Sequence, residues 1–173
     1  LDEVITFRTE VGGLQTRYNL IPDLTAMGKA IGGGFPIGAV AGNAEVMELM
    51  NPRGGSFHFP LSGTFSANPI STTAGLVAMQ HFDDRAVARL NALAERGRAG
   101  ISKAIKEAGA TACVTGTGSM FRLHMKNHAP RNFREAYQTP SESARLKAML
   151  DHLFDAGLHE SYRMLQPSAK PSQ

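Results

Sequence analysis

The first part of the chain has the hydrophobic pattern of strands and loops. In residues 1–75, apolar residues come in short runs separated by glycines, which is typical of strands joined by turns. One such run closes at residues 40–41. Asn43 follows it and is expected to cap a short helix that ends near Met50, because an asparagine side chain can accept hydrogen bonds from the first helical amides.

The middle of the chain changes to helical spacing. We predict one helix from Ile70 to about Phe82 and a longer one from Asp83 to Gly109, where the glycine is a plausible stop. The longer helix carries apolar residues at intervals of three and four, as one buried face requires. These are Val87, Leu90, Leu93, Ala94, Ile101 and Ile105.

The last patterned segments are a strand pair and a helix. Residues 112–114 and 119–125 are predicted to form two strands around a turn at residues 115–118, because the turn segment contains two glycines. A further helix is predicted from Ser141 to Gly157.

Lys29 stands out because glycines surround it. The stretch from Gly28 to Gly38 leaves little side-chain bulk beside the lysine. A lysine that loses its proton in a pocket becomes a nucleophile toward a carbonyl, so Lys29 is a candidate imine former. The alternative from this motif alone is an ordinary surface lysine in a loop.

A carboxylate lies 27 positions before Lys29, at Asp2. The β-forming residues that follow it suggest a strand, a loop and a second strand before the lysine. Open α/β sheets place ligand-binding groups at the carboxyl ends of such strands. Taken alone, Asp2 could equally be a solvated residue near a chain end.

Hydroxyl groups precede the first long helix, in the segment Ser62–Pro69. Backbone amides at a helix start, together with a threonine hydroxyl, can bind a phosphate. The alternative is an ordinary N-cap formed by Ser66 or Asn68.

The order of these blocks resembles the class III, fold type I aminotransferases, and within them the glutamate-1-semialdehyde aminomutase branch. The resemblance runs from Asp2 to about Leu158. It is carried by Asp2-Glu3-Val4, Pro22-Asp23-Leu24-Thr25, Gly28-Lys29-Ala30-Ile31-Gly32-Gly33-Gly34 and Ser62-Gly63-Thr64-Phe65-Ser66-Ala67-Asn68-Pro69.

This resemblance implies an α/β fold and a domain division. Residues 1–85 would be part of the large cofactor-binding domain with its sheet, and residues 86–158 most of the small α+β C-terminal domain. Residues 159–173 depart from the family pattern and are expected to form a disordered tail. Since family members are much longer than 173 residues, the chain is expected to be a C-terminal-half fragment.

The resemblance also implies roles at a pyridoxal phosphate site. Asp2 would pair with the pyridine nitrogen, and Val4 would press on one face of the ring. Lys29 would hold the cofactor as an internal aldimine and move the substrate proton. Thr64 would reach the cofactor phosphate of a neighbouring subunit, so the site would be shared across a homodimer.

The expected function is that of a pyridoxal-phosphate-dependent aminotransferase or aminomutase acting on an amino acid or amino aldehyde. Aminomutases, transaminases and racemases share these blocks, so the substrate stays open. The alternative is an inactive remnant that lacks the other half of the cofactor site and serves at most as an oligomer interface.

Composition favours a soluble cytoplasmic protein. The 42% hydrophobic and 19% charged residues are ordinary globular values, and no segment is apolar enough to span a membrane. The net charge of +3 is spread along the chain, so a nucleic-acid partner is not expected. His124 and His128 have the spacing of a helical metal pair, but we predict no metal because they lie at a strand end.

Overall fold

The computed structural model describes residues 1–53, 59 and 62–158. The chain divides into two compact units, Leu1–Leu93 and Ala94–Gln173, so the division falls within a long helix. The tail predicted for residues 159–173 lies outside the described residues.

The described chain contains six α-helices and four strands. The helices are α1 (Leu14–Arg17), α2 (Ala44–Glu48), α3 (Pro69–Gln80), α4 (Asp84–Glu107), α5 (Phe133–Ala136) and α6 (Pro140–Asp155). The strands are β1 (Leu24–Gly28), β2 (Gly38–Gly42), β3 (Cys113–Thr117) and β4 (Met120–His124), and short 3₁₀ helices cover Thr6–Thr9 and Lys29–Gly32. β1 pairs antiparallel with β2, and β3 pairs antiparallel with β4.

Polar caps start the helices close to where the sequence predicts. Asn43 caps α2 by accepting a hydrogen bond from the Glu45 amide at 2.8 Å. The Asp83 carboxylate accepts from the Ala86 amide at 2.8 Å and so begins α4. Both caps satisfy amides that lack partners in the first helical turn, and the predicted helices are confirmed within two residues at these starts.

The predicted strand after Asp2 is wrong. Asp2 forms a single parallel bridge with Ala26, and the chain then turns into the 3₁₀ helix Thr6–Thr9. The cause is local, because the Asp2 carboxylate accepts a hydrogen bond from the Val4 amide at 2.9 Å. Such a side-chain bond to the backbone competes with strand pairing.

The turn between β3 and β4 is shorter than predicted. Strand β3 continues through Thr117, and the turn consists of Gly118, with φ +53°, and Ser119. Gly116 belongs to the strand, where a Cβ would lie 2.1 Å from the Met120 carbonyl oxygen. Its glycine therefore permits close approach of the partner strand instead of forming the turn.

Helix α3 packs directly on the turn that follows Lys29. A Cβ on Gly33 would lie 2.4 Å from the carbonyl oxygen of Ala74, and a Cβ on Gly75 would lie 2.2 Å from that of Ile31. A residue can approach a backbone carbonyl this closely only when it has no Cβ, as at Gly33 and Gly75. The glycines around Lys29 thus fix its turn against α3.

The second unit has its own small core. Met125, at the end of β4, packs with Leu146 and Leu150 of α6. A capping box starts α6, in which Thr139 and Glu142 each bond the other's backbone amide. Glu142 also accepts two hydrogen bonds from the Lys126 ammonium, at 2.9 and 3.0 Å.

A methyl group at Gly75 should weaken the first unit. We expect Gly75→Ala to lower the free energy of unfolding by about 1–3 kcal/mol, because the added Cβ overlaps backbone that cannot move freely. Gly100→Ala is the matched control in α4, where a Cβ meets no atom within 4 Å. It should raise stability by about 0.5–1 kcal/mol. Urea unfolding measures the free energy of unfolding of both variants. Equal changes in Gly75→Ala and Gly100→Ala would refute the close contact at Gly75.

The Glu142 ion pair should make stability depend on pH. The hydrogen bonds from Lys126, and then that from the Thr139 amide, lower the pKa of Glu142 below its ordinary 4.5. A depressed carboxyl pKa stabilises the fold above the unfolded-state pKa, and that stabilisation is lost as pH falls through the folded-state pKa. Glu142→Gln should therefore be less stable than wild type at pH 7, and the difference should disappear in acid.

The control for that titration is Asp151→Asn. Asp151 pairs with Lys147 on the exposed face of α6, with side chains 58% and 60% exposed, and such pairs contribute little. Unfolding curves between pH 2 and 7 should show no comparable pH-dependent loss. A constant difference between Glu142→Gln and wild type across that range would contradict the ion-pair account.

Candidate functional site

Asp2 and Val4 lie beside β1, and Lys29 directly follows this strand. The segment Leu1–Glu3 runs beside β1, with the Glu3 amide donating to the Ala26 carbonyl at 2.8 Å and the Ala26 amide donating to the Leu1 carbonyl at 2.9 Å. Further along, a Val4 methyl lies 3.4 Å from the position of a Cβ on Gly28. Asp2 and Val4 are therefore held next to the end of the strand that leads into Lys29.

Lys29 begins the 3₁₀ helix after β1 and is exposed. Its φ of +50° lies in the left-handed region, which costs a residue with a Cβ about 1–2 kcal/mol. The flanking Gly28 and Gly32 are buried. An exposed amine on a constrained backbone suits a reactive lysine more than a structural one.

Asp2 and Val4, which lie beside β1, carry different chemical groups. Asp2 is exposed, and one of its carboxylate oxygens is fixed by the Val4 amide. Val4 is half-buried against Gly28. A fixed carboxylate, an apolar contact and a primary amine are the groups that a flat, basic, aldehyde-bearing ring would use.

Thr64 lies in the turn before α3 and is exposed. Within the described residues, no hydrogen bond or ion pair joins it to Asp2, Val4 or Lys29. Asn68 caps α3 by accepting from the Ile70 and Ser71 amides, at 3.0 and 3.2 Å. The N-cap interpretation is confirmed for Asn68. A phosphate at this helix start would therefore have to use the Thr64 hydroxyl and the turn, since Asn68 occupies those two amides.

Sequence reasoning missed Glu3 and Gln15. Glu3 is only 1% exposed. Its carboxylate accepts hydrogen bonds from the Thr6 hydroxyl and, at 2.7 Å, from the Gln15 amide. The signal in the sequence was weak, because an acidic residue near a chain end usually lies in solvent. The one available signal was the Gly12-Gly13 pair, because glycines without side chains leave space for a neighbouring buried group.

Comparison with known proteins decides the family. The family described as aminotransferase class-III matches residues 1–161. The chain belongs to the class-III aminotransferases. The expected family is confirmed, and the curated relatives include the aminomutase that the resemblance named. The glutamate-1-semialdehyde 2,1-aminomutase of Methanothrix thermoacetophila is 40% identical over 142 residues, which are 82% of this chain and 32% of that protein.

Solved structures of class-III relatives share the fold. An omega-transaminase from Sphaerobacter thermophilus is 42% identical with a TM-score of 0.86, over 91% of this chain and 36% of that one. A variant glutamate-1-semialdehyde-aminomutase from Pseudomonas aeruginosa PAO1, in complex with PMP, is 26% identical with a TM-score of 0.66, over 79% of this chain and 32% of that one. The expected fold is confirmed as part of the fold type I of pyridoxal-phosphate-dependent transaminases.

This class-III chain spans about a third of the length of the curated relatives it matches. Among the residues that the structure describes, no helix is both long and apolar enough to cross a membrane.

The strain at Lys29 gives a testable signature. Lys29→Gly should raise the free energy of unfolding by about 0.5–1 kcal/mol relative to Lys29→Ala, because glycine adopts a φ of +50° without steric cost. Ala30→Gly is the control, since Ala30 does not share the positive φ, and should be destabilising. Urea unfolding that ranks Lys29→Ala above Lys29→Gly would contradict the left-handed backbone.

Proposed function

We propose that this chain contributes the lysine and carboxylate side of a pyridoxal phosphate site, in an enzyme that transfers or relocates the amino group of a small amino acid or amino aldehyde. The supporting observation is the joint position of Asp2, Val4 and Lys29 at one end of β1. When bound, the cofactor supplies an electron sink for the substrate carbon that carries the amino group.

Lys29 has two tasks in this proposal. Its Nζ is the covalent attachment point for the cofactor aldehyde, which requires an uncharged amine. Once the substrate amine has taken that place, the same Nζ accepts a proton from the substrate carbon and returns it at the neighbouring reacting atom. The exposed side chain on a fixed turn suits both tasks, since the amine must move while its backbone does not.

Asp2 and Val4 orient the ring. The Asp2 carboxylate pairs with the ring nitrogen and keeps it protonated, which deepens the electron sink. Val4 contacts one face of the ring and sets its plane. The Val4 amide holds Asp2 at 2.9 Å, so the two groups are fixed relative to each other.

Thr64 completes the proposal across a homodimer. Its hydroxyl would bind the cofactor phosphate of the neighbouring subunit, which agrees with its exposure and with the lack of a described hydrogen bond or ion pair to Lys29. An aminomutase returns the amino group to the same substrate, whereas a transaminase passes it to a second one. The relatives carry both names.

Selective labelling of Lys29 tests the proposal. The chain is incubated with pyridoxal phosphate, reduced with borohydride and digested, and the pyridoxyl-labelled peptides are identified by mass spectrometry. We expect the label to concentrate on Lys29, because Asp2 and Val4 position the ring there. Asp2→Asn should reduce that labelling severalfold.

The matched controls are Lys29→Ala and Lys103→Ala. Lys103 is an exposed lysine of α4, so its loss should leave labelling unchanged. Label scattered over many lysines, and unaffected by Lys29→Ala, would overturn the proposal. That result would favour the alternative of an inactive remnant whose pocket needs the part of the fold that this chain does not span.

A further inference from the structure

The buried carboxylate of Glu3 calls for a physical explanation. A glutamate is almost never fully buried unless its carboxylate has partners, yet Glu3 is 1% exposed. It stands between Asp2 and Val4, the two residues proposed to orient the cofactor ring. Its burial costs free energy that a residue serving only to fill space would not require.

Hydrogen bonds tie Glu3 to two separate segments. One carboxylate oxygen accepts a hydrogen bond from the Thr6 hydroxyl, and the other accepts one from the backbone amide of Gln15 at 2.7 Å. The Gln15 side chain in turn accepts from the Thr25 hydroxyl of β1 at 2.9 Å. Thr25 is itself buried, so the network ends inside the strand that leads to Lys29.

Further hydrogen bonds link Thr6 to α4 through Thr9 and Asn91. The Thr9 hydroxyl donates to the Thr6 carbonyl at 2.7 Å, and the Asn91 side chain donates to the Thr9 carbonyl at 3.0 Å. Thr9 has no exposed surface. Glu3 is therefore the centre of a buried polar network that reaches from α4 to β1.

The local backbone fits around this carboxylate. Gly13 has φ +88°, and a Cβ there would lie 2.9 Å from a Glu3 carboxylate oxygen. The Glu3 amide donates to the Ala26 carbonyl of β1. Both the side chain and the main chain of Glu3 are thus fixed, and the residues on either side of it are fixed with them.

We propose that Glu3 is a positioning residue, whose buried hydrogen bonds to Thr6 and Gln15 hold Asp2 and Val4 against the strand that presents Lys29. This inference rests on the proposed function for the meaning of Asp2 and Val4. Glu3 itself does not touch the cofactor.

Amide hydrogen exchange in the 173-residue chain tests the proposal without any cofactor. The reporters are the Val4 amide, which bonds the Asp2 carboxylate, and the Ala26 amide, which bonds the Leu1 carbonyl. Glu3→Ala should raise exchange about tenfold at both, because it leaves the Gln15 amide and the Thr6 hydroxyl without their acceptor. Glu3→Gln should stay within about threefold of wild type.

Glu3→Gln should keep the hydrogen bonds that Glu3→Ala loses. Its amide oxygen can accept from the Gln15 amide, and its NH₂ can donate to the Thr6 hydroxyl, which accepts as well as donates. Asn43→Ala controls for general loss of stability, since it removes the cap of α2 in the same unit and leaves the network intact. It should not change exchange at Val4 or Ala26.

A second readout follows the cofactor. In unreduced chains that carry the cofactor on Lys29, the cofactor absorbance follows protonation of the imine nitrogen, and its pH midpoint depends on the carboxylate that pairs with the ring nitrogen. That midpoint should shift in Glu3→Ala, return in Glu3→Gln and stay unchanged in Asn43→Ala. Should Glu3→Ala not fold, Thr25→Val is the milder variant, and it should still raise exchange at Val4 above that of Asn43→Ala.

The outcomes separate the two proposals. Failure of the wild-type chain to label at Lys29 would refute the proposed function, whereas exchange at Val4 and Ala26 would still decide whether Glu3 holds this segment. Wild-type protection in Glu3→Ala, or an equal loss of protection in Asn43→Ala, would overturn the positioning role even if Lys29 labels selectively.

Discussion

The close contact between helix α3 and the turn after Lys29 constrains the rest of the first unit. Gly33 and Gly75 let the two backbones approach to distances that any Cβ would prevent. The turn therefore cannot shift without moving the helix. Lys29 leaves this fixed turn in a left-handed backbone conformation, a strain that persists only because the surrounding packing over-determines it.

A polar network constrains the other side of the same lysine. Glu3 and Gln15 hold the segment that carries Asp2 and Val4 against β1, while α3 holds the turn. The two constraints differ in kind, since one depends on missing side chains and the other on buried hydrogen bonds. Together they fix the backbone that carries Asp2 and Val4 and the turn that carries the exposed Lys29 side chain.

The sequence predicts most where a local signal is strong. Asn43 and Asp83 mark helix starts because their side chains cap amides one turn away. The glycines around Lys29 predict open space beside the amine, and the structure adds a second role, since Gly33 lets the turn pack against α3. The prediction failed where long-range pairing decides. Asp2 looked like the start of a strand, but its own side chain redirects the backbone after a single bridge. Glu3 gave no local sign of burial, because its partners Gln15 and Thr25 are brought to it only by folding.

The proposed function requires that Asp2, Val4 and Lys29 face one bound ligand. The most direct test is an experimental structure of this chain with pyridoxal phosphate. We expect cofactor density joined to the Lys29 Nζ, with the Asp2 carboxylate within hydrogen-bond distance of the ring nitrogen and Val4 on one ring face. Cofactor bound elsewhere, or bound at Lys29 with Asp2 and Val4 turned away from it, would contradict the proposed function.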